Sequence, residues 1–472
     1  MKKISVIYII LFMALLFVPS VTMPFFSDDG SSENRELAEF PQLRGEDGSF
    51  NGGYTDELDS WISDHIGFRK LLAGANSAWQ SKLFGKSAEE SVIVGDDGWL
   101  FYAETESDFL NVATLSGRNI NNIVRTLELM QEFAESHGAE FAVAVVPNKN
   151  TVYPEKMPYY YLPLDADGNL ELLEAALADS VVNYADIRSA FSVADDILYQ
   201  KTDSHWDYRG ALLGYKTIMD SVEYPYNEFD GLTFEARTDW DGDLAGMLYA
   251  DAAKQDVQYY PEYEFGYKIV SHETGVEAIT LQTVNPNGQG KLIIFRDSFC
   301  NTMQTYLSES FAEATLSRAY PFVMDNVTKY DADVCVLEIV ERNIPNLAKR
   351  APVMQAPRAE LSASAQPMKD GSIELYTETR SGYVHLYGTI DGDYLGDAYR
   401  VYILTGTGGS ASAYEAFPIF EQELLYADEL SDNGFSAYLG GKLWGSVETV
   451  SIIVESDGVY YISGAYRDSD IQ

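Results

Sequence analysis

Three short runs constrain the fold of this chain more than any other feature: AEFAVAVVP (139–147), GKLIIFRDSF (290–299) and DADVCVLEIVERN (331–343). Each is apolar at consecutive rather than alternate positions, the pattern of a strand buried on both faces. Helical patterns accompany them: NINNIVRTLELMQEFAESHG is amphipathic and ends at Gly138 before the first run, YRGALLGYKTIMDSV lies between the first and second, and CNTMQTYLSESF between the second and third. Strands alternating with helices predict an α/β core, a parallel sheet with helices on both faces. Ligands of such sheets bind at the carboxyl ends of the strands.

The 472 residues, 46% of them hydrophobic, are too many for one ordinary domain. Residues 31–53 are polar and turn-rich and read as a linker. An α/β catalytic domain is expected over 54–350. It opens with a helical pattern from Asp56 to Phe84, then SVIVGDDGWLFYA, two short strands around an Asp-Gly turn that edge the domain. Residues 220–290, rich in tyrosine and acids, read as an insertion or lid. After Arg350 the helical period disappears, and short alternating segments such as IELYTETRSGYVHLYGTI, AYRVYILTG and TVSIIVES predict a separate β-sandwich over 355–472, a possible carbohydrate-binding domain. Its TGTGGSASA lacks the lysine and the strand-to-helix setting of a phosphate loop.

With 32 basic against 73 acidic residues the formal charge is −41, which repels nucleic acid. Two lysines precede an uncharged run, Ile4 to Phe26, with Asp28 and Asp29 beyond it. The run is long enough to span a bilayer, and the charges predict a cytoplasmic start with an extracytoplasmic body. Without a small-x-small cleavage site, an uncleaved anchor at residues 1–30 is expected, a signal peptide being the alternative. Cys300 and Cys335, the only cysteines, read as two buried thiols, with a single bridge as the other possibility.

The candidate chemistry lies in KTDSHWD (201–207), in a chain with five histidines. Such a cluster suits a charge-oriented base, a metal site, or a buried histidine with its hydrogen bonds satisfied. The five histidines, at 65, 137, 205, 272 and 385, show no ligand spacing, which disfavours zinc. Ser298 ends a buried strand where a helix begins, close to backbone N–H groups able to stabilise an oxyanion. A serine nucleophile needs a base, and the base a carboxylate to hold its tautomer. His205 and Asp203, two apart in an extended segment, point to one side and can supply both.

TDSHW…GA followed by RDSF resembles the family named for its Asp-His-His-Trp motif, itself similar to the periplasmic alginate O-acetyltransferases. ENRELAEFP (33–41), SDHIGFR (63–69), VIVGDDGWLFY, VVPNKNTVYPEKMP (145–158) and DWDGDLAGML (239–248) also match, so the resemblance covers roughly 33–345. It implies an SGNH-hydrolase-like fold, permuted so that Asp-x-His precedes the serine, with Ser298 as nucleophile, His205 as base and Asp203 as orienting acid. Position 204 is serine rather than histidine. Position 296, often glycine in such turns, is Arg296, which bears on the oxyanion side and offers a basic group to an anionic substrate. The implied reaction is acyl transfer, with acetyl as the expected group and a sugar hydroxyl of a cell-surface glycan as acceptor. A multi-membrane-spanning O-acyltransferase is implied as acyl supplier, and no cofactor is. An esterase using the same triad and a non-catalytic glycan-binding scaffold are the competing readings.

Four further residues are expected at the site. Asn148 follows a strand and suits oxyanion donation or substrate binding, or only a turn. Arg342, with Asn343, follows another strand, unless Glu341–Arg342 is a salt bridge. Trp206 suits stacking on a sugar or a place in the core, and Arg296 has the anion role given above.

Overall fold

The computed structural model describes residues 2–23, 25, 37–44, 48–84, 86–250, 253–361 and 364–471. The linker expected over 31–53 and the ENRELAEFP piece lie partly outside them. Lys2–Thr22 is a helix whose Ser5–Thr22 window, with mean hydropathy 2.3, is long and apolar enough to cross a membrane. The single helix expected over 56–84 is two, Tyr54–His65 and Arg69–Phe84. The break falls in the SDHIGFR piece. There Phe68 takes a left-handed φ of 59°, and the Gly67 N–H donates to Pro19 O at 3.0 Å. A Cβ on Gly67 would lie 2.3 Å from Thr22 Oγ1, so glycine is what lets the end of the first helix approach.

Strands β1 (Val92–Val94) and β2 (Leu100–Tyr102) pair antiparallel around Asp96–Gly98, the hairpin expected from GDDG. The central sheet comprises β3 (Glu140–Val146), β4 (Tyr184–Ala185), then, after a separate hairpin of β5 (Phe234–Trp240) and β6 (Asp256–Pro261), β7 (Lys268–Ile269), β8 (Thr280–Val284), β9 (Lys291–Phe295), β10 (Glu313–Ser317) and β11 (Val334–Val340). Its order is β4-β3-β11-β9-β10-β8-β7. The first five are mutually parallel; β8 and β7 run antiparallel at one edge. The sheet is therefore mixed, a correction to the all-parallel expectation. β8 alternates half-buried and buried residues, an edge-type pattern without the continuous apolar run of a central parallel strand. It also lies within 220–290, so part of the expected insertion belongs to the sheet.

Alternate residues of the central strands enter two cores. Phe141, Val143, Val145, Ile293, Phe295, Cys335, Leu337 and Ile339 pack on one face with Ile123, Leu127 and Met130 of helix Gly117–Ser136. Ala142, Ala144, Val146, Leu292, Ile294, Val334 and Val336 pack on the other with Ala211, Tyr215 and Ile218 of helix Tyr208–Ser221 and Met303 and Leu307 of helix Cys300–Ser310. This two-faced burial accounts for the runs of consecutive apolar residues. Cys300 and Cys335 are free and buried.

The C-terminal region is β-rich: β12 (Arg358–Ala359), β13 (Gln366–Pro367), β14 (Ile373–Arg380), β15 (Tyr383–Ile390), β16 (Tyr399–Thr407), β17 (Ser410–Ala416), β18 (Gly434–Gly440), β19 (Thr449–Ser456) and β20 (Val459–Ile462). They form two sheets, β12-β17-β16-β19-β20-β13 and β14-β15-β18, with one cluster of buried residues between them that includes Leu375, Leu386, Phe435, Val401, Ile452 and Val454. TGTGGSASA is the β16–β17 turn, with Gly408 and Gly409 at φ 56° and 85°. The region does not stand apart from the α/β part. Phe417, Ile419 and Tyr438 sit in the same core as Leu127, Leu347 and Met354, and Arg125 makes a two-pronged bond to Glu415 at 2.8 and 2.9 Å.

Candidate active site

The carboxyl ends of three neighbouring parallel strands deliver the chemistry. Asn148 and Lys149 follow β3, Ser298 lies three residues past β9, and Glu341 and Arg342 follow β11. KTDSHWD arrives from a narrow loop closed by a Tyr199–Trp206 bridge and an Asp207 N–H to Leu198 O bond of 2.8 Å. Asp207 then caps helix Tyr208–Ser221, accepting from the N–H groups of Arg209 and Gly210. The following "GA" of the motif has a steric reason: a Cβ on Gly210 would lie 2.7 Å from Leu198 O and 2.8 Å from Trp206 Cβ.

The Asp203–His205 segment bends where an extended one was expected. Asp203 Oδ1 accepts both the His205 backbone N–H at 2.9 Å and Nδ1–H at 2.8 Å, and this turn brings carboxylate and imidazole together. His205 Nε2 lies 2.9 Å from Ser298 Oγ. With Nδ1–H donating to Asp203, Nε2 is the acceptor and the serine hydroxyl the donor. Asp203 Oδ2 accepts from Trp240 Nε1 at 2.9 Å and from the Asp243 N–H at 3.2 Å. Asp243 also receives the Ser204 hydroxyl and lies 3.7 Å from His205 Nδ1. Ser204 thus fastens Asp243 to the histidine loop, its N–H and hydroxyl both donating to that carboxylate, with Oγ 3.1 Å from His205 Nδ1.

Burial, the largest single influence, disfavours the charged forms of both Asp203 and His205. Their mutual hydrogen bond and charge, helped on Asp203 by Trp240, outweigh it. Asp203 is held well below the usual carboxylate range and His205 above its ordinary 6.5. Neutral His205 is the form that can take the serine proton, so kcat/KM should rise with pH through a pKa above 6.5. In Asp203→Asn that limb should move to lower pH, and a rate profile from about pH 5 to 9 checks it. The raised value also makes the pair's contribution to stability complete below about pH 6.5 and lost as pH rises through the folded pKa.

The weaker candidates divide. Trp206 is fully buried and its indole N–H donates to Phe299 O and Thr302 Oγ1, both at 2.9 Å. It belongs to the core, and the sugar-stacking expectation is corrected: no ring face reaches solvent. The residue instead ties the histidine loop to the serine turn. Arg296, 4% exposed, donates to Asp297 O, Asn301 Oδ1 and Val276 O, which corrects the anion-binding expectation, since its guanidinium is held among protein oxygens. Asn148 is buried, its N–H on Glu341 and one of its two amide hydrogens on Asp108, with Oδ1 unpaired among the described residues. Arg342 is half-buried, its guanidinium 5.4 Å from the Tyr102 ring centre and 5.8 Å from that of Phe299, the residue after Ser298. Glu341 bonds Asn148 and Thr151 instead of Arg342, so the alternative of a Glu341–Arg342 bridge falls away.

Several polar groups of the site carried no signal in isolation. Trp240 and Asp243 lie in DWDGDLAGML, and Lys149 lies in VVPNKN. Glu338, fully buried within the apolar β11 run, accepts the Asp297 N–H beneath the serine turn, and burial together with the Asp297 charge pushes its pKa well up. The donor atoms of Asp203, His205 and Asp243 lie within 4.8 Å of one another, close enough for a cation. Those atoms already bond to each other, to Ser204 and to Trp240, so a metal would have to displace the triad's own hydrogen bonds. A second Ser–His–Glu array, Ser436, His385 and Glu378 at 2.7 and 3.1 Å, lies in the C-terminal region. Ser436 and His385 are fully buried there, and no substrate reaches them.

Residues 92–281 match the family described as SGNH hydrolase-like domain, acetyltransferase AlgX. Over those residues the chain is similar to that SGNH hydrolase-like family. The match includes Asp203 and His205 and ends before Ser298. A probable alginate O-acetylase AlgJ of Pseudomonas syringae pv. tomato is 23% identical over 223 residues, 44% of this chain and 50% of that protein. The Pseudomonas fluorescens counterpart is 23% identical over 176 residues, 36% of this chain and 43% of that protein. The chain thus spans about half the length of the curated relatives it matches, or less. Among solved structures, a DHHW family protein from Eubacterium siraeum has a TM-score of 0.39 at 17% identity, covering 54% of this chain and 91% of that one. Bacillus cereus PatB1 with a sulfonyl adduct has 0.43 at 18%, covering 54% and 95%. Asn148 and Lys149 lie within the matched residues, and Ser298, Glu341 and Arg342 beyond them.

Proposed function

We propose that this protein is an extracytoplasmic O-acyltransferase that moves an acyl group, acetyl by preference, through Ser298 to hydroxyls of a cell-surface or secreted polysaccharide. The observation that carries the reading is the 2.9 Å contact of His205 Nε2 with Ser298 Oγ, with Asp203 on the opposite ring nitrogen. Ser298 Oγ attacks the donor's carbonyl carbon as its proton passes to His205 Nε2; the leaving alcohol takes that proton, and an acyl-enzyme remains. His205 then removes the proton of an acceptor hydroxyl, whose oxygen attacks the acyl carbon; the acyl–Oγ bond breaks and Ser298 Oγ takes that proton back from His205 Nε2. The Ser298 N–H, which has no partner among the described residues, and the Arg342 guanidinium are the groups nearest to hand for the developing oxyanion.

The apolar helix Lys2–Thr22 supports placement at a membrane, with a multi-spanning O-acyltransferase supplying the acyl group and the β-rich region 355–472 gripping glycan. A carbohydrate esterase is the second reading, favoured by the 24% exposure of the His205 side chain, which admits water. Incubating the purified protein with an acetyl-ester donor, with and without oligosaccharides, separates them. Acetylated sugar that depends on acceptor and disappears in Ser298→Ala is expected; acetate alone, whatever the acceptor, would turn the assignment to esterase.

A further inference from the structure

Lys149 is a lysine where none is needed for packing. It lies three residues past the carboxyl end of β3, yet it is only 4% exposed. Its Nζ donates to Leu100 O at 2.7 Å, Lys201 O at 2.9 Å and Asp203 O at 2.9 Å. Three acceptors meet the three N–H bonds of an ammonium and leave none for water. The Trp99 and Phe101 rings close over it, with centres 5.0 and 5.3 Å away. Asp203, Asp243 and Asp256 surround it with negative charge, and Lys201 opposes them. Burial works against the charge and brings its pKa down to about 7, while three backbone carbonyls, two of them from the triad loop, hold the ammonium form.

The three carbonyls come from two separate parts of the chain. Leu100 belongs to β2, while Lys201 and Asp203 flank Thr202 in the loop carrying the triad acid. A second bond, Leu100 N–H to Lys201 O at 3.0 Å, joins the same two parts. The ammonium therefore fastens the backbone of Asp203 to the hairpin.

We propose that Lys149 is a positioning residue of the triad: it holds the Asp203 backbone where the carboxylate can orient His205. The proposal rests on the reading of Ser298 as the acyl-carrying nucleophile. Small displacements of a catalytic group cost about 10²-fold, so Lys149→Met, similar in length but without donors, should lose about that much kcat with KM within about twofold. The same factor is expected in the rate at which phenylmethylsulfonyl fluoride labels Ser298, followed by intact mass. The acid limb of labelling should also move to lower pH, as His205 loses its oriented partner. A merely structural lysine would lower the melting temperature but leave the labelling rate of the folded protein and its acid limb in place, and that result overturns the proposal. If the Met variant does not fold, Lys149→Arg decides. It keeps the charge, but its planar fork cannot aim three donors from one nitrogen, so wild-type rate and limb in that variant would overturn the proposal equally. Absence of label on Ser298 in the wild type removes the nucleophile reading and the Lys149 role with it. Labelled wild type with an unaffected Met variant removes the Lys149 role alone.

Discussion

Ser298→Ala should lower acyl transfer by about 10⁴-fold or more, His205→Ala should do nearly the same, and the double variant should be no slower than the worse single one. The reason is the shared proton. With His205 Nε2 2.9 Å from Ser298 Oγ, neither group has a catalytic task once the other is gone. Residual rate in all three would come from binding and oxyanion donation, which the substitutions leave intact. Steady-state rates with an acetyl-ester donor, corrected for the reaction without protein, provide the test. Multiplicative losses would mean that the two residues act in separate steps and that the contact is structural.

The second large effect is on stability. Trp206 is fully buried, and its ring so fills its slot that a Cβ on Gly214 would come within 2.7 Å of it. Phe191 stacks beside it at 5.8 Å and Phe299 meets it edge-on at 5.4 Å. Trp206→Ala should cost about 3–5 kcal/mol from lost packing and the cavity left behind. It also strips a donor from Phe299 O. Trp206→Phe should keep most of the packing and lose mainly that donor, with a smaller stability loss and a drop in kcat as the serine turn loosens. Urea midpoints at unchanged slope measure both. A Trp206→Ala variant within about 1 kcal/mol of wild type would refute the core placement.

These two residues also show what the sequence made legible. Consecutive apolar residues announced the central strands because two-faced burial leaves no other option, and strand ends announced Ser298 and Arg342. The Asp203–His205 pairing was readable from spacing, although the segment bends and the two groups meet through a turn that spacing alone does not reveal. Trp206 was open to two readings because an aromatic in a motif looks the same whether it faces ligand or core. Asp243, Trp240 and Lys149 act through tertiary contacts across 37 to 54 positions, and no local pattern marks such pairs. Glu338 was hidden by its apolar neighbours. β8 joins the sheet edge antiparallel from within a polar, tyrosine-rich stretch, where periodicity is weak.

The change of period after Arg350 marks a change of architecture and not a seam. Because Phe417, Ile419 and Tyr438 complete a core begun by the helix Gly117–Ser136, and Arg125 is clamped to Glu415, the last quarter of the chain is an outer wall of the α/β part. Any ligand gripped by that wall is held at a set distance from Ser298, so the two surfaces together act as a ruler along whatever chain they bind.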